Sequence, residues 1–353
     1  MEALTDEERM LWDSVAGILS EIAAPADLWP QLAELGMLGL TLPESAGGAE
    51  LGPQALMVFA RAFGQAGLAT PFFASEALAM PLLAQWTARP EVSALLGEIV
   101  RGARIATLAL HDLTPAVARR AADGFVLSGV KMVVPAGSVA DIVIASAMLE
   151  ERPALFLLDL QTIAATKTAY MPAGPAADAD IALDGVTVAE TALMAEGEEA
   201  VRLIAEAEAR GQLITCAEML GGMEKLLELT VDYLRDRRQF GQPLAGFQAL
   251  QHAAVDMYVE LETARAMLDF GGRMFGASAG ERAAALDAVK LKMNTAAKLI
   301  GESAVQLHGG IGMTEESLTG RIFGRLTALR ISAGDSRSCM KRLLAGDRSV
   351  ALA

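Results

Sequence analysis

The stretch 233-YLRDRRQFGQPLAGFQALQHAAVDMYVELETARAMLDF-270 decides the architecture of the chain, because it reads as a helix end, a short loop and a second, long helix. Phe247, Leu250, Ala254, Met257, Leu261, Ala264 and Leu268 recur at alternating steps of three and four, which places them on one apolar seam of a helix of about seven turns. A helix with such a seam is a core element of a bundle. Upstream, Arg235, Arg237 and Arg238 crowd the last turn of the preceding helix, where cations suit the negative end of the dipole, and Gly241 and Pro243 are expected to stop it. A basic cap and a turn account for those residues, but not for Gln239 and Phe240 wedged between arginine and glycine, or for Gln248 in the first turn of the next helix. A guanidinium fork, an aromatic face and an amide on adjoining helix ends suit a pyrophosphate joined to an adenosine.

Outward from this stretch the chain divides by period. Residues 1 to about 100 pattern as helices. Thr5 with Leu4, Asp6, Glu7 and Glu8 gives a capped, acid-rich first turn, and Met10, Leu11, Val15, Ile18, Leu19 and Ile22 follow at helical spacing. Trp29, Leu32, Leu35 and Leu38 carry a second helix ending near Gly36 or Gly39, and 43-PESAGGAELGP-53 is a loop. Helical patterns resume over 54–63 and 74–86. From about Arg104 to Met194 the period changes to two, with strands expected at 105–110, 124–127, 131–134, 140–145, 154–160 and 181–183, and a hairpin or tight strand pair at 124-GFVLSG-129. Helical patterning then returns to the end, apart from a glycine loop at Gly309 to Gly312. The expected domains are 1–103, helical; 104–194, β; and 195–353, helical.

Composition narrows the function classes. With 53% hydrophobic residues in 353, the chain can bury a large core. A net charge of −15 opposes nucleic acid or an acidic membrane surface as partner, although local arginine clusters can still hold phosphates. Cys216 and Cys339 stand far apart without metal-ligand spacing, so both are expected to be buried thiols in a reducing cytoplasm. The acidic start MEALTDEERM does not read as a secretory signal, and no stretch reads as a membrane span.

Two segments carry a resemblance. RRQFGQPLAGFQ at 237–248 resembles the first signature of the acyl-CoA dehydrogenase family, and 306-QLHGGIGMTEE-316 resembles its second. LTDEERMLWDSVAGIL at 4–19 and LAELGMLGLTLPESAGGAELGP at 32–53 are similar to the family's opening helices. The resemblance implies a mostly α fold with an inserted β domain: an N-terminal helical domain, a middle β-barrel or sandwich and a C-terminal four-helix bundle. It implies flavin adenine dinucleotide (FAD) shared across a subunit interface, an acyl-CoA substrate, an electron-transfer flavoprotein as acceptor and a hetero- or homotetramer with an acyl-CoA dehydrogenase homologue. In the family a glutamate takes the α-proton while the β-hydrogen leaves as hydride to the flavin, since the α-proton is otherwise too weakly acidic.

Carried over residue by residue, the resemblance gives Arg237 to the pyrophosphate and Phe240 and Gln248 to the adenosine portion. Gln306 with Gly309, Gly310 and Gly312 would let a backbone approach the ribose and phosphates. These residues serve the cofactor of a neighbouring subunit. The positions that would serve the chain's own flavin depart from the family. In 331-ISAGDS-336, Ala333 stands where the base belongs and Asp335 replaces a cofactor-touching threonine. The Lys-x-Trp-Ile-Thr strand becomes 131-KMVVP-135, so Val133 cannot cover the flavin and Pro135 has neither hydroxyl nor amide hydrogen for its edge. The strand-end motif becomes 110-LHDLTPAVARRAADG-124, with His111 where a threonine is expected. The family's alternative base position falls near Gly211, and the adjacent Glu206 and Glu208 sit in an Ala-Glu run that reads as a solvent face. His252 and His308 read as hydrogen-bonding residues, and Arg321, Arg325, Arg330 and Arg337 as ion-pairing ones. The expected reading is the non-base subunit of a heteromeric acyl-CoA dehydrogenase, alongside an inactive cofactor-completing subunit or a flavin oxidase relative.

Overall fold

The computed structural model describes residues 5–21, 28–170, 178–314 and 316–345, so Leu4, Ile22, Glu315 and the side chains of Asp6, Glu7 and Glu8 lie outside the described residues. The helices are α1 (Asp6–Glu21), α2 (Leu28–Glu34), α3 (Pro53–Ala66), α4 (Met80–Leu83), α5 (Pro90–Val100), α6 (Glu198–Asp236), α7 (Gln248–Met274), α8 (Ala279–His308), α9 (Leu318–Leu329) and α10 (Ser336–Ala345). A π-helical stretch, Ala74–Ala79, precedes α4. The strands are β1 (Ala106–Ala109), β2 (Asp112–Ala121), β3 (Gly124–Val134), β4 (Ile142–Leu149), β5 (Arg152–Asp159), β6 (Ala165–Ala169), β7 (Ala179–Ala189), β8 (Leu193–Glu196), β9 (Arg238–Gln239) and β10 (Gln242–Pro243). The helix, sheet, helix order is the one the sequence pattern leads one to expect. Contacts divide the chain into two compact units, one built from Met1–Glu21, Met57–Leu68 and Gly211–Arg348, the other mainly from Ile22–Leu56 and Ala69–Arg210.

In the first unit the core is a helical bundle. Met257, Leu261, Ala264 and Leu268 of α7 are buried as the seam requires, whereas Phe247, Leu250 and Ala254 at its start are half-buried. Leu286, Val289, Met293 and Ile300 of α8 and Leu213, Ala217, Leu220 and Met223 of α6 are also buried, and a Cβ on Gly271 of α7 would lie 3.1 Å from Val289 and 3.6 Å from Leu213. The shorter α9 and α10 pack on α8. The tightest contact is between the end of α3 and the middle of α6, where backbone meets backbone. A Cβ on Gly64 would lie 2.0 Å from Glu218 O, and one on Gly221 would lie 1.9 Å from Arg61 O. Buried ion pairs flank this crossing. Glu224 accepts from Arg61 Nε at 2.6 Å, Arg265 Nη2 at 2.7 Å and Gln65 Nε2 at 3.2 Å, and Glu218 accepts from Arg325 at 2.6 and 3.1 Å. With both carboxylate oxygens filled, each acid is satisfied in a setting where an unpaired charge would be costly.

The second unit holds an eight-stranded sheet in the order β6-β7-β3-β2-β4-β5-β8, with β1 pairing β4. Its interior includes Phe125 and Phe156, packed edge to face at 5.2 Å, with Ile181, Leu183 and Val143. The structure corrects the strand assignment at three places. Residues 124–129 are not a strand pair: β3 runs unbroken from Gly124 to Val134 and pairs with β2 and β7, the turn lying before it at Ala122 and Asp123. Gly129 permits this because a Cβ there would meet Ala116 Cα at 2.6 Å. Strand β2 was not expected, since alanine, arginine and Pro115 lack strand propensity, yet Ala116 and Ala118 face the core at period two and irregular pairing absorbs the proline. The short β6 and β8 also form without hydrophobic alternation in their sequence, β6 at the edge beside β7 and β8 beside β5.

The crossing gives a sharp test. Gly221→Ala should destabilise the protein by about 3 kcal/mol in urea unfolding, because the new methyl meets fixed backbone. Gly324→Ala, on exposed α9 surface with nothing within 4 Å of the added Cβ, should stabilise by roughly 0.5–1 kcal/mol. Equal effects would show that the crossing yields.

Candidate cofactor-binding face and base position

The first signature folds differently from a helix simply stopped by glycine and proline. Helix α6 already ends at Asp236, and Arg237 N–H closes its last turn onto Tyr233 O at 2.9 Å. β9 and β10 then pair, Gln239 opposite Gln242, around a two-residue turn made by Phe240 and Gly241. Gly241 and Pro243 therefore belong to a hairpin. Both turn residues have positive φ, 55° and 81°, the type I′ pattern that matches strand twist. Glycine accepts that conformation freely, whereas phenylalanine does so at a cost. The ring is 89% exposed and leans edge-on against Phe247 at 6.1 Å. Phe247 caps α7, so Gln248 opens that helix beside the aromatic pair. Arg237, Arg238, Phe240 and Gln248 are all exposed.

The second signature closes α8. Gln306 is exposed in its last turn, and His308 ends it. Gly309 has φ 68° and ψ −148°, a region essentially restricted to glycine. A Cβ on Gly310 would meet nothing within 4 Å, so the backbone is open there, while Gly312 is buried with a would-be Cβ 2.9 Å from His308 Cβ. His308 Nδ1 lies 2.8 Å from Ala304 O and Nε2 lies 3.4 Å from the Thr319 hydroxyl. A carbonyl only accepts, so the proton sits on Nδ1 and Thr319 donates to Nε2. The imidazole stacks on Tyr233, centroids 4.7 Å apart. That stack sets the end of α6 beside the end of α8; Arg237 directly follows the first, and Gly309 and Gly310 follow the second. Nothing in the sequence pairs Tyr233 with His308. Arg237, Arg238, Gln248 and Gln306 are exposed hydrogen-bond donors on these segments, Gly310 leaves its backbone open, and Phe240 offers an exposed aromatic face.

The loop where the sequence resemblance puts the base position is firmly held, and Ala333 stands in it. Ala333 is exposed with φ 52°, and Gly334 follows at φ 108°. Lys290, fully buried on α8, donates to Leu329 O and to Asn294 Oδ1, each at 2.7 Å, and Asn294 Nδ2 donates to Gly334 O at 3.2 Å. Burial pulls the Lys290 ammonium below the ordinary lysine value. Asp335 is the N-cap of α10, accepting from Ser338 N–H at 2.8 Å, and that amide holds its carboxyl below the usual range. Glu206 and Glu208 are half-buried rather than on an open solvent face, and Glu206 pairs with Arg202 at 2.9 Å. Both cysteines are buried, and burial pushes Cys216 to about 12 and Cys339 to about 11. Arg325 is the arginine of its group that forms a bidentate ion pair, with Glu218.

The end of β3 is equally committed. Val133 takes φ 48° and Ala136 φ 51°. Val133 N–H donates to Asp180 Oδ1 at 2.9 Å and Ala136 N–H to Asp178 Oδ1 at 3.1 Å. Pro135, between them, has no N–H, and its carbonyl accepts from Thr107 Oγ1 at 2.6 Å. Upstream, the buried Lys131 donates to Leu110 O at 3.1 Å, to Ser146 O and Oγ at 3.0 and 2.9 Å, and to Asp112. Burial lowers its pKa. His111 O accepts from Met132 N–H at 2.9 Å, and His252 is exposed on α7.

Helices, a sheet and then helices, ending in two signature segments, make up the architecture, and comparison with known proteins assigns its family. Family models described as acyl-CoA dehydrogenase, N-terminal domain, and acyl-CoA dehydrogenase, C-terminal domain, match residues 5–103 and 201–346. The chain belongs to the acyl-CoA dehydrogenase family. It is similar to the acyl-CoA dehydrogenase IpdE2 of Mycolicibacterium smegmatis, 27% identical across 96% of this chain and 98% of that one. Among solved structures it resembles the ChsE4-ChsE5 complex from Mycobacterium tuberculosis, at 24% identity and TM-score 0.87, with 97% of each chain covered. A variant of the Tcur3481-Tcur3483 steroid ACAD is similar at 27% identity and TM-score 0.82, again with 97% of each chain covered. None of the described helices is long and apolar enough to cross a membrane.

If Ala333 merely inherits a strained backbone, Ala333→Gly should raise stability by about 1 kcal/mol, the left-handed penalty for a non-glycine residue. Thermal or urea unfolding reads this directly, and a destabilised variant would mean that the methyl group packs.

Proposed function

We propose that this chain is the non-base subunit of a heteromeric FAD-dependent acyl-CoA dehydrogenase, and that it completes the cofactor site of an acyl-CoA dehydrogenase homologue which keeps the catalytic glutamate. The observation that carries this reading is the contrast between two ends of one chain: a signature face with every donor exposed, and a base position occupied by exposed Ala333. FAD, when bound, supplies the hydride acceptor for α,β-dehydrogenation of the acyl-CoA thioester, and an electron-transfer flavoprotein takes the electrons onward. Arg237 would neutralise the pyrophosphate through its fork, Phe240 would cover the adenine plane, and Gln248, Gln306 and the Gly309–Gly310 backbone would hydrogen-bond the nucleoside portion. The chain's own ring-binding positions do not offer the matching groups. Val133 and Ala136 N–H are engaged by Asp180 and Asp178, Pro135 has none, and Asp335 is engaged as a helix cap. The complexes named ChsE4-ChsE5 and Tcur3481-Tcur3483 support a partnership between unlike subunits.

Co-expressed with its partner, the protein should give about half a flavin per polypeptide, because in a two-plus-two tetramer each cofactor draws on one copy of each chain. Flavin absorbance against protein concentration on a gel-filtered sample measures this, and one tight flavin per chain in a homo-oligomer would sink the proposal. In the assembled complex Arg237→Ala should weaken flavin retention about tenfold or more, the worth of a charge-assisted bidentate contact. Unchanged occupancy after dialysis would count against that assignment. Ala333→Glu should leave the isolated chain inactive, since a base alone does not restore the ring-binding groups; robust acyl-CoA oxidation would overturn the picture.

A further inference from the structure

Helix α7 carries a second apolar stripe that the bundle core does not use. Val255, Val259, Ala266 and Phe270 are all exposed, the two valines by 55% and 58% and the phenylalanine by 37%. At 3.6 residues per turn they fall within about 60° of arc, on the side of the helix opposite buried Met257, Leu261, Ala264 and Leu268. Local structure does not account for them, because a valine on an exposed helix surface loses χ1 freedom and lowers helix propensity. An apolar stripe that serves neither the helix nor the core marks a surface that another molecule covers.

The stripe reads the same from either end. Val255 and Phe270 stand equally far from a midpoint between Glu262 and Thr263, and so do Val259 and Ala266. A face with that symmetry is complementary to itself. Laid antiparallel on another α7, it sets Val255 against Phe270 and Val259 against Ala266, the small alanine leaving room for the branched valine. Charge selects the same orientation. Asp256 lies in the first half of the helix and Arg273 in its last turn, both exposed and neither ion-paired among the described residues. Antiparallel helices bring the Arg273 end of one beside the Asp256 end of the other, whereas parallel helices bring like charge to like. Glu262, beside the midpoint, is already neutralised by Arg265 of its own helix at 3.0 Å. We propose that this face of α7 is a two-fold, antiparallel contact between two copies of this chain. The inference deepens the proposed function and rests on it in one respect, since it names the contact that joins the two copies in a two-plus-two complex. Gln248 stays outside that contact, because the opposing helix ends at Met274, before it reaches that level.

Cysteine substitution in the full chain, co-expressed with its homologue, tests this. Thr263 lies next to the midpoint, so in Thr263→Cys two copies of this chain should join through a disulfide under mild oxidation, seen as a doubled mass on a non-reducing gel. Val259→Cys should not join to itself, since its two copies would be offset by seven residues, roughly 10 Å along the axis, beyond disulfide reach. Native Cys216 and Cys339 are buried and should give no such product. Absence of the Thr263→Cys product, or a product from Val259→Cys, overturns the proposal. Val259→Glu, which places a charge in the stripe, should halve the mass of the complex in light scattering, to one copy of each chain, with the flavin ratio unchanged. Release of this chain from its homologue, or a complex of unaltered mass, would show that α7 faces another surface and overturns the proposal as well. The cross-link requires no flavin and the flavin ratio requires no α7 contact, so failure here is told apart from failure of the cofactor-sharing reading.

Discussion

The contact between Tyr233 and His308 is the constraint on which the candidate cofactor face depends. The two signatures leave separate helices and would remain separate recognition fragments without it. A tyrosine ring one turn before the end of α6 meets an imidazole at the last residue of α8, and the imidazole is oriented by a carbonyl on one side and a hydroxyl on the other. Each ring nitrogen has a defined role, so the ring cannot rotate without leaving a buried polar atom unpaired. The Phe240–Gly241 turn and the Gly309–Gly310 backbone are thereby offered to a ligand from fixed positions. Rigidity of this kind lowers the ordering cost of binding more than any added contact would.

The loop at 329–336 follows a different logic, in which buried polar side chains hold the backbone. Lys290 and Asn294 reach it from α8, and Asp335 ties it to α10. A buried ammonium bonded to neutral oxygens and a thioether sulfur is an expensive way to hold a backbone, unless the geometry of that backbone matters. Here the geometry presents Ala333, whose side chain does no acid-base work. Asp335, which the sequence suggests as an intruding carboxylate, is explained locally as a cap and needs no ligand to account for it.

Much of this was legible in the sequence, and the exceptions share a cause. The seam of α7 is periodic, so its helix and core face follow from spacing. The signatures are distinctive strings, and they led to two helix ends that the structure joins through Tyr233 and His308. What spacing cannot show is contact between distant segments. Strand β2 hides because its core-facing residues are alanines and its outward ones arginines, so it alternates in position but hardly in hydrophobicity. The 238–243 hairpin hides because a glycine and a proline after a helix read as a stop. Lys131, Lys290 and Glu76 hide for a stronger reason: a charged residue in a sequence looks like surface, and only the finished fold reveals that it is buried, with backbone groups from distant segments among its partners.

The crossing at Gly64 and Gly221 bears on how such a chain could diverge. Where backbone touches backbone, any side chain is excluded, so these two positions are closed to drift for as long as the fold persists. Position 333, by contrast, is exposed at the surface of a loop, where a change of side chain meets no such backbone wall. A protein built this way separates the positions its fold must keep from those it leaves open to change.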